Sequence, residues 1–396
     1  MPSSKTNQTR ENDVTDIKIL EESLYSLHVQ LYHNLRRLIY TGHWPTQSLV
    51  PSEQLIAKHL TISRSTVRLA FQRAELEGLI RRVPGKGTFV AYSHQNGTHS
   101  GSIAYITPYQ PVSEWGAVIL NGAESAARAR GYRLLYCRRN EDQREAQLLH
   151  ELQDDHIAGI LLWPEARTSL TQDEIASYRQ LHIPVVFMDR TIEGADFDCV
   201  TSDNYAGATL LMRHLVELGH RRIVFLTHRY TALLTVAERY RAYEDVMRQA
   251  NLSPAKPWFI GDGFREIDER QILDPGGNAA AVEIMQILRY LQETRPRPTA
   301  VFALNDIVAI LVMRAAALLG IQVPHELSIA GFDDMPFTAC LNVPLTTVSQ
   351  DTMAIGCQAA QLLINRIEGW EGPATIELIP TQLKVRLSTA TVSETA

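Results

Sequence analysis

Cysteine is scarce and scattered in this chain of 396 residues: Cys137, Cys199, Cys340 and Cys357 stand far apart with no C-x-x-C pair. That spacing excludes a zinc cluster and a disulfide framework and fits a reducing compartment, the cytoplasm. Long apolar runs are also missing. The longest, Ile307 to Val323, is interrupted by Arg314 and falls short of the roughly 20 apolar residues a membrane span needs, so it predicts a helix buried against a sheet. The N-terminal "MPSSKTNQTRENDVTD" has no apolar stretch, which excludes a secretory signal and makes residues 1–20 a disordered tail.

Phosphate-binding and catalytic signatures are lacking as well. The stretch "RVPGKGTFV", Arg82 to Val90, contains Gly-Lys-Gly-Thr, but six residues separate Gly78 from Gly85, and Gly87, without a hydroxyl, follows Lys86. A nucleotide-binding P-loop needs four residues and then Gly-Lys-Ser/Thr. No nucleophile elbow, dinucleotide loop or metal-ligand spacing occurs, and His150, His156 and His214 have no partners at metal spacing. The chain reads as a non-enzyme without cofactor or metal.

What is present is an ordinary globular composition, 45% hydrophobic and 21% charged, with a net charge of −6. That charge is unevenly spread. Between Glu21 and Tyr92 nine Lys and Arg oppose five acids, 9 − 5 = +4, which leaves −10 for the rest. A basic head on an acidic body suits contact with an anionic polymer.

Within the head, Leu24, Leu27, Leu31, Leu35 and Leu38 recur at steps of three and four and predict a helix from Leu24 to Tyr40. Gly42, Pro45 and Pro51 then break the chain, Ser52 is placed to cap a helix of barely two turns in "EQLIAKHL", and Ser63 to cap a longer one. The inner face of that longer helix is predicted as Val67, Ala70, Phe71, Ala74 and Leu76, with Gly78 ending it. Two such helices across a tight turn form a helix-turn-helix whose second member enters the major groove of DNA. Its exposed first turn carries Ser63, Arg64, Ser65, Thr66 and Arg68: arginine suits bidentate reading of guanine, and hydroxyls suit phosphates or bases. "LIRRV" and "GTFVAY" read as strands of a β-hairpin, with Gly85, Lys86 and Gly87 at its tip facing the DNA backbone or minor groove.

Residues 50–91 resemble the winged-helix DNA-binding domain of the GntR family of bacterial regulators. The resemblance implies DNA contacts by Arg64, Thr66 and Arg68 in the recognition helix and by Gly85 and Lys86 in the wing; Ser52, Gln54, Ser63, Ser65 and Gly87 are further DNA-binding candidates beside them. Where the family usually has a backbone-touching basic residue after Pro-Ser-Glu, this chain has Gln54, which offers that contact no charge.

A polar linker, residues 92–101, separates the head, 21–91, from the body, 102–396. In the body, short apolar strands such as "SIAYITP", "AGILLWP" and "PVVFMDR" alternate with amphipathic helices, among them "REAQLLHELQDDHI" and "TSLTQDEIASYRQLHI". The alternation restarts at "RRIVFLTH". The fold class predicted is a small α+β winged helix-turn-helix followed by a two-lobed α/β domain with doubly wound parallel sheets and a ligand cleft at the strands' carboxyl ends.

The body resembles the effector region of the lactose-repressor family, shaped like periplasmic sugar-binding proteins, through "VVFMDR", "VTSDNYAGATLLMRHLVELGHRRIVFL", "VFALNDIVAI" and "LSIAGFDDMPFTACLNVPLTTVSQD". A GntR-type head on such a body is the arrangement of the arabinose-repressor subgroup. The likeness implies lobe 1 at about 102–202 and 351–378, lobe 2 at about 203–350 and 379–394, and effector contacts by Asp189, Arg239, Asn305 and Asp333. Tyr109 and Trp115, on a loop that departs from the family pattern, are candidates for stacking on the effector. Asn305 and Asp306 can equally serve as helix caps, and Asp189 as a hinge ion pair. The implied function is a homodimeric, cytoplasmic repressor of carbohydrate genes that binds a palindromic double-stranded operator, without any membrane partner, and releases it on binding a sugar such as a pentose. The alternative is a regulator that needs its small molecule to bind DNA.

Overall fold

The computed structural model describes residues 12–19, 26–40, 43–76, 78–91, 101–107, 114–138, 148, 157–164, 183–191, 196–228, 233–261 and 280–392. The expected helices at 144–157 and 168–183 and the 92–101 linker lie almost wholly outside them.

In the head, α1 (Leu27–Tyr40), α2 (Glu53–His59) and α3 (Arg64–Leu76) pack with a three-stranded antiparallel sheet of β1 (Leu49–Val50), β2 (Ile80–Val83) and β3 (Gly87–Val90), ordered β1-β3-β2. The core is built on Leu31, Tyr32, Leu35, Leu38, Trp44, Ile56, Val67, Ala70, Phe71 and Ala74. Two expectations need correction. Leu76 is 82% exposed: it is the last residue of α3, beyond the stripe of Val67, Ala70, Phe71 and Ala74 that meets α1. Helix α1 starts at Leu27, itself exposed, so the leucine stripe extends too far upstream as an indicator of burial.

Of the segment expected as a disordered tail, residues 12–19 are described and are tied to the head. Asn12 donates from its backbone to Leu49 O (3.1 Å), and Asp16 accepts from Trp44 Nε1 (3.2 Å). Ile17 is buried in the core. Val14 and Ile19 pack against the same core beside it, an apolar group too short and too close to the polar N-terminal residues to be read as more than tail, so only the packed head reveals its role.

The body contains two parallel sheets. The first has six strands: β4 (Ser102–Thr107), β5 (Arg133–Arg138), β6 (Ile157–Leu162), β7 (Val185–Met188), β8 (Asp198–Ser202) and β14 (Ile376–Ile379), ordered β14-β8-β7-β6-β4-β5. Strand β8 was not anticipated as one, because "DCVTS" is short and half polar; it is fully buried. Helices α4 (Glu114–Ala129) and α9 (Thr352–Ile367) pack together over this sheet. Their backbones meet at two glycines: a Cβ on Gly356 would collide with Ile119 O, and one on Gly122 with Met353 O.

The second sheet has four strands, β9 (Ile223–His228), β10 (Trp258–Ile260), β11 (Ala300–Ala303) and β12 (Ser328–Ala330), in the order β10-β9-β11-β12. Helices α5 (Asn204–Glu217), α6 (Leu234–Gln249), α7 (Ala281–Glu293) and α8 (Asp306–Leu318) surround it. The apolar run read from the sequence forms α8, buried from Asp306 through Val312. A two-stranded antiparallel ribbon of β13 (Thr347–Gln350) and β15 (Thr381–Lys384) lies against α5.

The chain passes between the sheets three times, after β8, after β13 and between β14 and β15. At the first two crossings an aspartate turns strand into helix: Asp203 accepts from Ala206 N (2.8 Å) and Asp351 from Ala354 N (2.9 Å). Capping each helix at the crossing fixes where strand direction ends and helix direction begins.

Candidate functional site

On the head, the N-terminus of α3 is organised by Ser63, whose hydroxyl accepts from Thr66 N (3.1 Å) and lies 2.7 Å from both the Ser65 and Thr66 hydroxyls. Ser52 likewise caps α2 through Leu55 N (3.2 Å). These serines therefore shape the helix starts. Arg64, Ser65 and Gln54 are exposed.

Glu53, not singled out from the sequence, ties three elements together. It receives Arg68 Nε at 3.6 Å from α3 and Arg82 at 3.1 Å from β2, and Arg82 also meets Glu75 at 3.4 Å. Arg68, expected to be available, is thus partly committed. Arg64, Arg81 and Lys86 are exposed and have no carboxylate partner among the described residues, so the uncompensated positive charge lies at the start of α3 and along the hairpin. At the hairpin tip Gly85 has φ +73° and Gly87 φ +112°. Side chains resist both conformations, and a Cβ on Gly87 would lie 2.9 Å from Leu49 Cδ1.

In the body, the candidate residues gather where the strands end. Asp189 follows β7, Asn305 follows β11 and Asp333 follows β12, while Arg239 comes from α6. Arg239 is buried; its Nε donates to Asn204 Oδ1 (2.8 Å), Nη1 donates to Leu304 O (2.8 Å), and Nη2 stands 3.9 Å from Asp333 Oδ1. Its guanidinium lies 3.7 Å over the Phe332 ring. Asn204 is itself held by Ser202 O (2.9 Å). The fork is therefore fixed on three sides, and burial lowers its pKa while Asp333 and Asp189 favour the charge. A guanidinium stays protonated in this setting.

Asp333, whose side chain is 17% exposed, accepts from Gln350 Nε2 (2.6 Å). Burial pushes its carboxyl up to about 7 against the pull of Arg239, with the Asp189 carboxylate adding to the rise. Asp189 belongs to the six-stranded sheet and Asp333 to the four-stranded one, so this field acts across the space between the lobes. Asp189 has φ +66°, is buried and pairs with Arg190 Nε at 3.3 Å; its carbonyl accepts from Thr201 Oγ1 (2.6 Å). Arg190 stands 5.9 Å from the Trp163 ring centroid.

Asn305 caps α8 through Val308 N (2.9 Å), so its carbonyl oxygen is already used and the amide nitrogen is what it can offer a ligand. Tyr109 lies outside the described residues, as does the Trp115 side chain at the start of α4. The structure adds Gln350, Phe332 and Arg190 to the expected group. Among the described residues Gln350 Oε1 is buried without a partner. Its sequence signal was slight, one amide before a capping aspartate in "VSQD". Two carboxylates, two guanidiniums and amides gathered at the strand ends can hold several hydroxyl groups, each with a paired donor or acceptor. Among the described residues no helix is long and apolar enough to cross a membrane, and no cluster could hold a metal ion.

Comparison with known proteins agrees with both halves. Residues 27–90 match the gntR family of bacterial regulatory proteins, and residues 212–389 match the periplasmic binding protein-like domain. The chain is 30% identical to the arabinose metabolism transcriptional repressor of Geobacillus stearothermophilus over 354 residues, 88% of this chain and 93% of that one. It is 29% identical to the ribose operon repressor of Halalkalibacterium halodurans, over 84% of this chain and 96% of the relative. Among solved structures, a periplasmic binding protein/LacI transcriptional regulator from Alkaliphilus metalliredigens complexed with D-xylulofuranose superposes with a TM-score of 0.57 at 26% identity, covering 73% of this chain and 98% of that one. A GntR-type winged helix joined to a periplasmic-binding-protein-like body, matched over nearly its full length by a metabolic repressor, assigns the chain to the arabinose-repressor-like family of bacterial transcriptional repressors.

Proposed function

We propose that this repressor holds a palindromic operator as a homodimer in the cytoplasm and releases it when a sugar of pentose size closes the cleft between its lobes. The observation that carries this reading is the pair of buried Arg239 and partly buried Asp333, backed by Phe332 and Gln350, with Asp189 and Arg190 on the other lobe. Hydroxyl groups arriving between them supply partners to both sides at once. The sugar therefore binds the closed form more tightly than the open one, and that difference is the whole source of the allosteric effect.

Asp189, Arg239, Asn305 and Asp333 are the proposed effector contacts, joined by Arg190 and Gln350. Arg64 and Lys86 are the proposed reading and backbone contacts on DNA, with Ser63 and Ser52 setting the helix starts. Relatives named for arabinose and ribose repression and a neighbour holding a pentulose support the choice of sugar class.

The experiment is operator binding by the full chain, followed by fluorescence anisotropy on its own promoter DNA with and without aldopentoses and hexoses. Loss of binding with a pentose supports release. Tighter binding with sugar refutes it in favour of a corepressor, and indifference to every sugar refutes the effector reading.

A further inference from the structure

Asp306 is a carboxyl group with no evident reason to be buried. It is the first residue of α8 and is fully buried, where an ionisable side chain is costly unless it is hydrogen-bonded. Capping does not explain it, because Asn305 already accepts from Val308 N (2.9 Å). Asp306 instead turns away from its own helix toward the loop after β12. Its backbone N–H donates to Phe332 O (2.8 Å), its Oδ2 accepts from Met335 N (2.8 Å), and its Oδ1 accepts from the Thr347 hydroxyl. Gly331 passes so close that a Cβ there would collide with Asp306 Oδ1.

The loop clasped in this way is the one that presents Asp333. Two successive non-glycine residues in it, Asp333 (φ +124°) and Asp334 (φ +56°), occupy left-handed backbone conformations that persist only when the surroundings enforce them. Asp306 grips the loop on both sides of this pair, at Phe332 and Met335. Strand β13 completes the frame: Thr347 bonds Asp306, Val348 O accepts from Asp333 N (2.8 Å), and Gln350 bonds the Asp333 carboxyl. The backbone N–H of Asp334 donates to Thr347 Oγ1 (3.4 Å) while its carboxylate pairs with Arg386.

We propose that Asp306 is a positioning residue for effector recognition: its buried carboxyl locks the 331–335 loop in the geometry that aims Asp333 into the cleft. This rests on the reading of the cleft as the effector site. Its action goes through Asp333, and the group itself does not touch the ligand. Burial and the neighbouring Asp333 push the Asp306 carboxyl well above the usual carboxylate range, so a neutral amide of the same shape preserves the frame, its oxygen accepting from Met335 N and its nitrogen donating to Thr347 Oγ1.

The test is titration calorimetry of the full-length protein with L-arabinose and D-ribose, alongside operator affinity without sugar and thermal unfolding. Asp306→Ala weakens the binding of the bound sugar by about tenfold or more with operator affinity unchanged, and Asp306→Asn restores it to within about threefold of the parent protein. The double variant Asp306→Ala/Asp333→Ala binds no more weakly than Asp333→Ala alone, since residues acting through one another are not additive. Unaltered affinity in Asp306→Ala, or additive losses in the double variant, overturns the proposal. Should Asp306→Ala fail to fold, Thr347→Val removes one strut of the frame with its shape kept; a several-fold loss supports the proposal and unchanged affinity overturns it. If the parent protein binds neither these sugars nor any other of a pentose and hexose panel, the effector reading fails first and takes this inference with it. Binding by the parent and by Asp306→Ala alike refutes the inference alone.

Discussion

On the proposed effector reading, Asp333 gives sugar binding a pH dependence whose size follows from the structure. Its carboxyl, raised to about 7, faces Arg239, Gln350 and, across the cleft, Asp189 and Arg190, with Asp306 behind it. Sugar hydroxyls need the ionised form as an acceptor. With a pKa near 7 the ionised fraction is about 0.9 at pH 8 and about 0.09 at pH 6, so affinity falls roughly tenfold over that interval. Asp333→Asn removes the titration: its affinity is weaker at pH 8 and nearly flat from pH 6 to 8. Folding stability runs the opposite way. A carboxyl raised in the folded state contributes stability that is complete below the unfolded value near 4 and is lost as pH rises through about 7. Sugar-free protein therefore loses stability between pH 5 and 7.5 through this group, while sugar affinity grows. Calorimetric titrations at half-unit steps from pH 5.5 to 8.5 measure the first effect and thermal unfolding in the same buffers the second. A flat affinity profile in the parent protein, or the same slope in Asp333→Asn, refutes the reasoning.

Arg239→Ala removes the cation beside the partly buried Asp333 and leaves Asn204 Oδ1 and Leu304 O without their donor; each buried acceptor left unpaired costs about 1–3 kcal/mol, so unfolding temperature falls and the sugar response disappears. Arg239→Lys retains the charge without the fork and stacking, so calorimetry finds sugar binding weakened although the fold is kept. Arg64→Ala lowers operator affinity by about 1–3 kcal/mol and relaxes sequence preference at one base pair in competition anisotropy, with sugar binding unchanged. Lys86→Ala lowers the slope of log affinity against log salt by about one; an unchanged slope removes the hairpin tip from the DNA contact. Gly356→Ala forces α9 from α4 and costs about 1–3 kcal/mol by overpacking, measured as a lower midpoint in urea.

Much of the head was legible locally. Leu31, Leu35 and Leu38 on α1 and Val67, Ala70, Phe71 and Ala74 on α3 mark inner faces by spacing alone, Ser52 and Ser63 announce their caps, and Gly85 and Gly87 mark a tip that needs positive φ. Such signals depend on neighbours within a few residues, where helix and strand periods act directly. Leu76 and Ile17 were misjudged for the same reason: one continues a pattern past the point where a partner helix is there to meet it, and the other, with Val14 and Ile19, belongs to an apolar group too short to show a period before the head is packed.

The cleft was legible only as a set of residue types. That Asp189, Arg239, Asn305 and Asp333 follow strands or face them can be read from order and motif. Tertiary folding decided their states: which arginine is gripped on three sides, which carboxyl rises to about 7, and that Asp306 serves the loop after β12 while Asn305 caps the helix. Each of these outcomes joins residues far apart in the chain, Asp306 to Thr347, Gln350 to Asp333, Arg239 to Asn204. Local preference follows from side-chain shape and backbone sterics, which every residue carries with it. Burial and electric field belong to the packed molecule, because they depend on which distant groups have displaced the water.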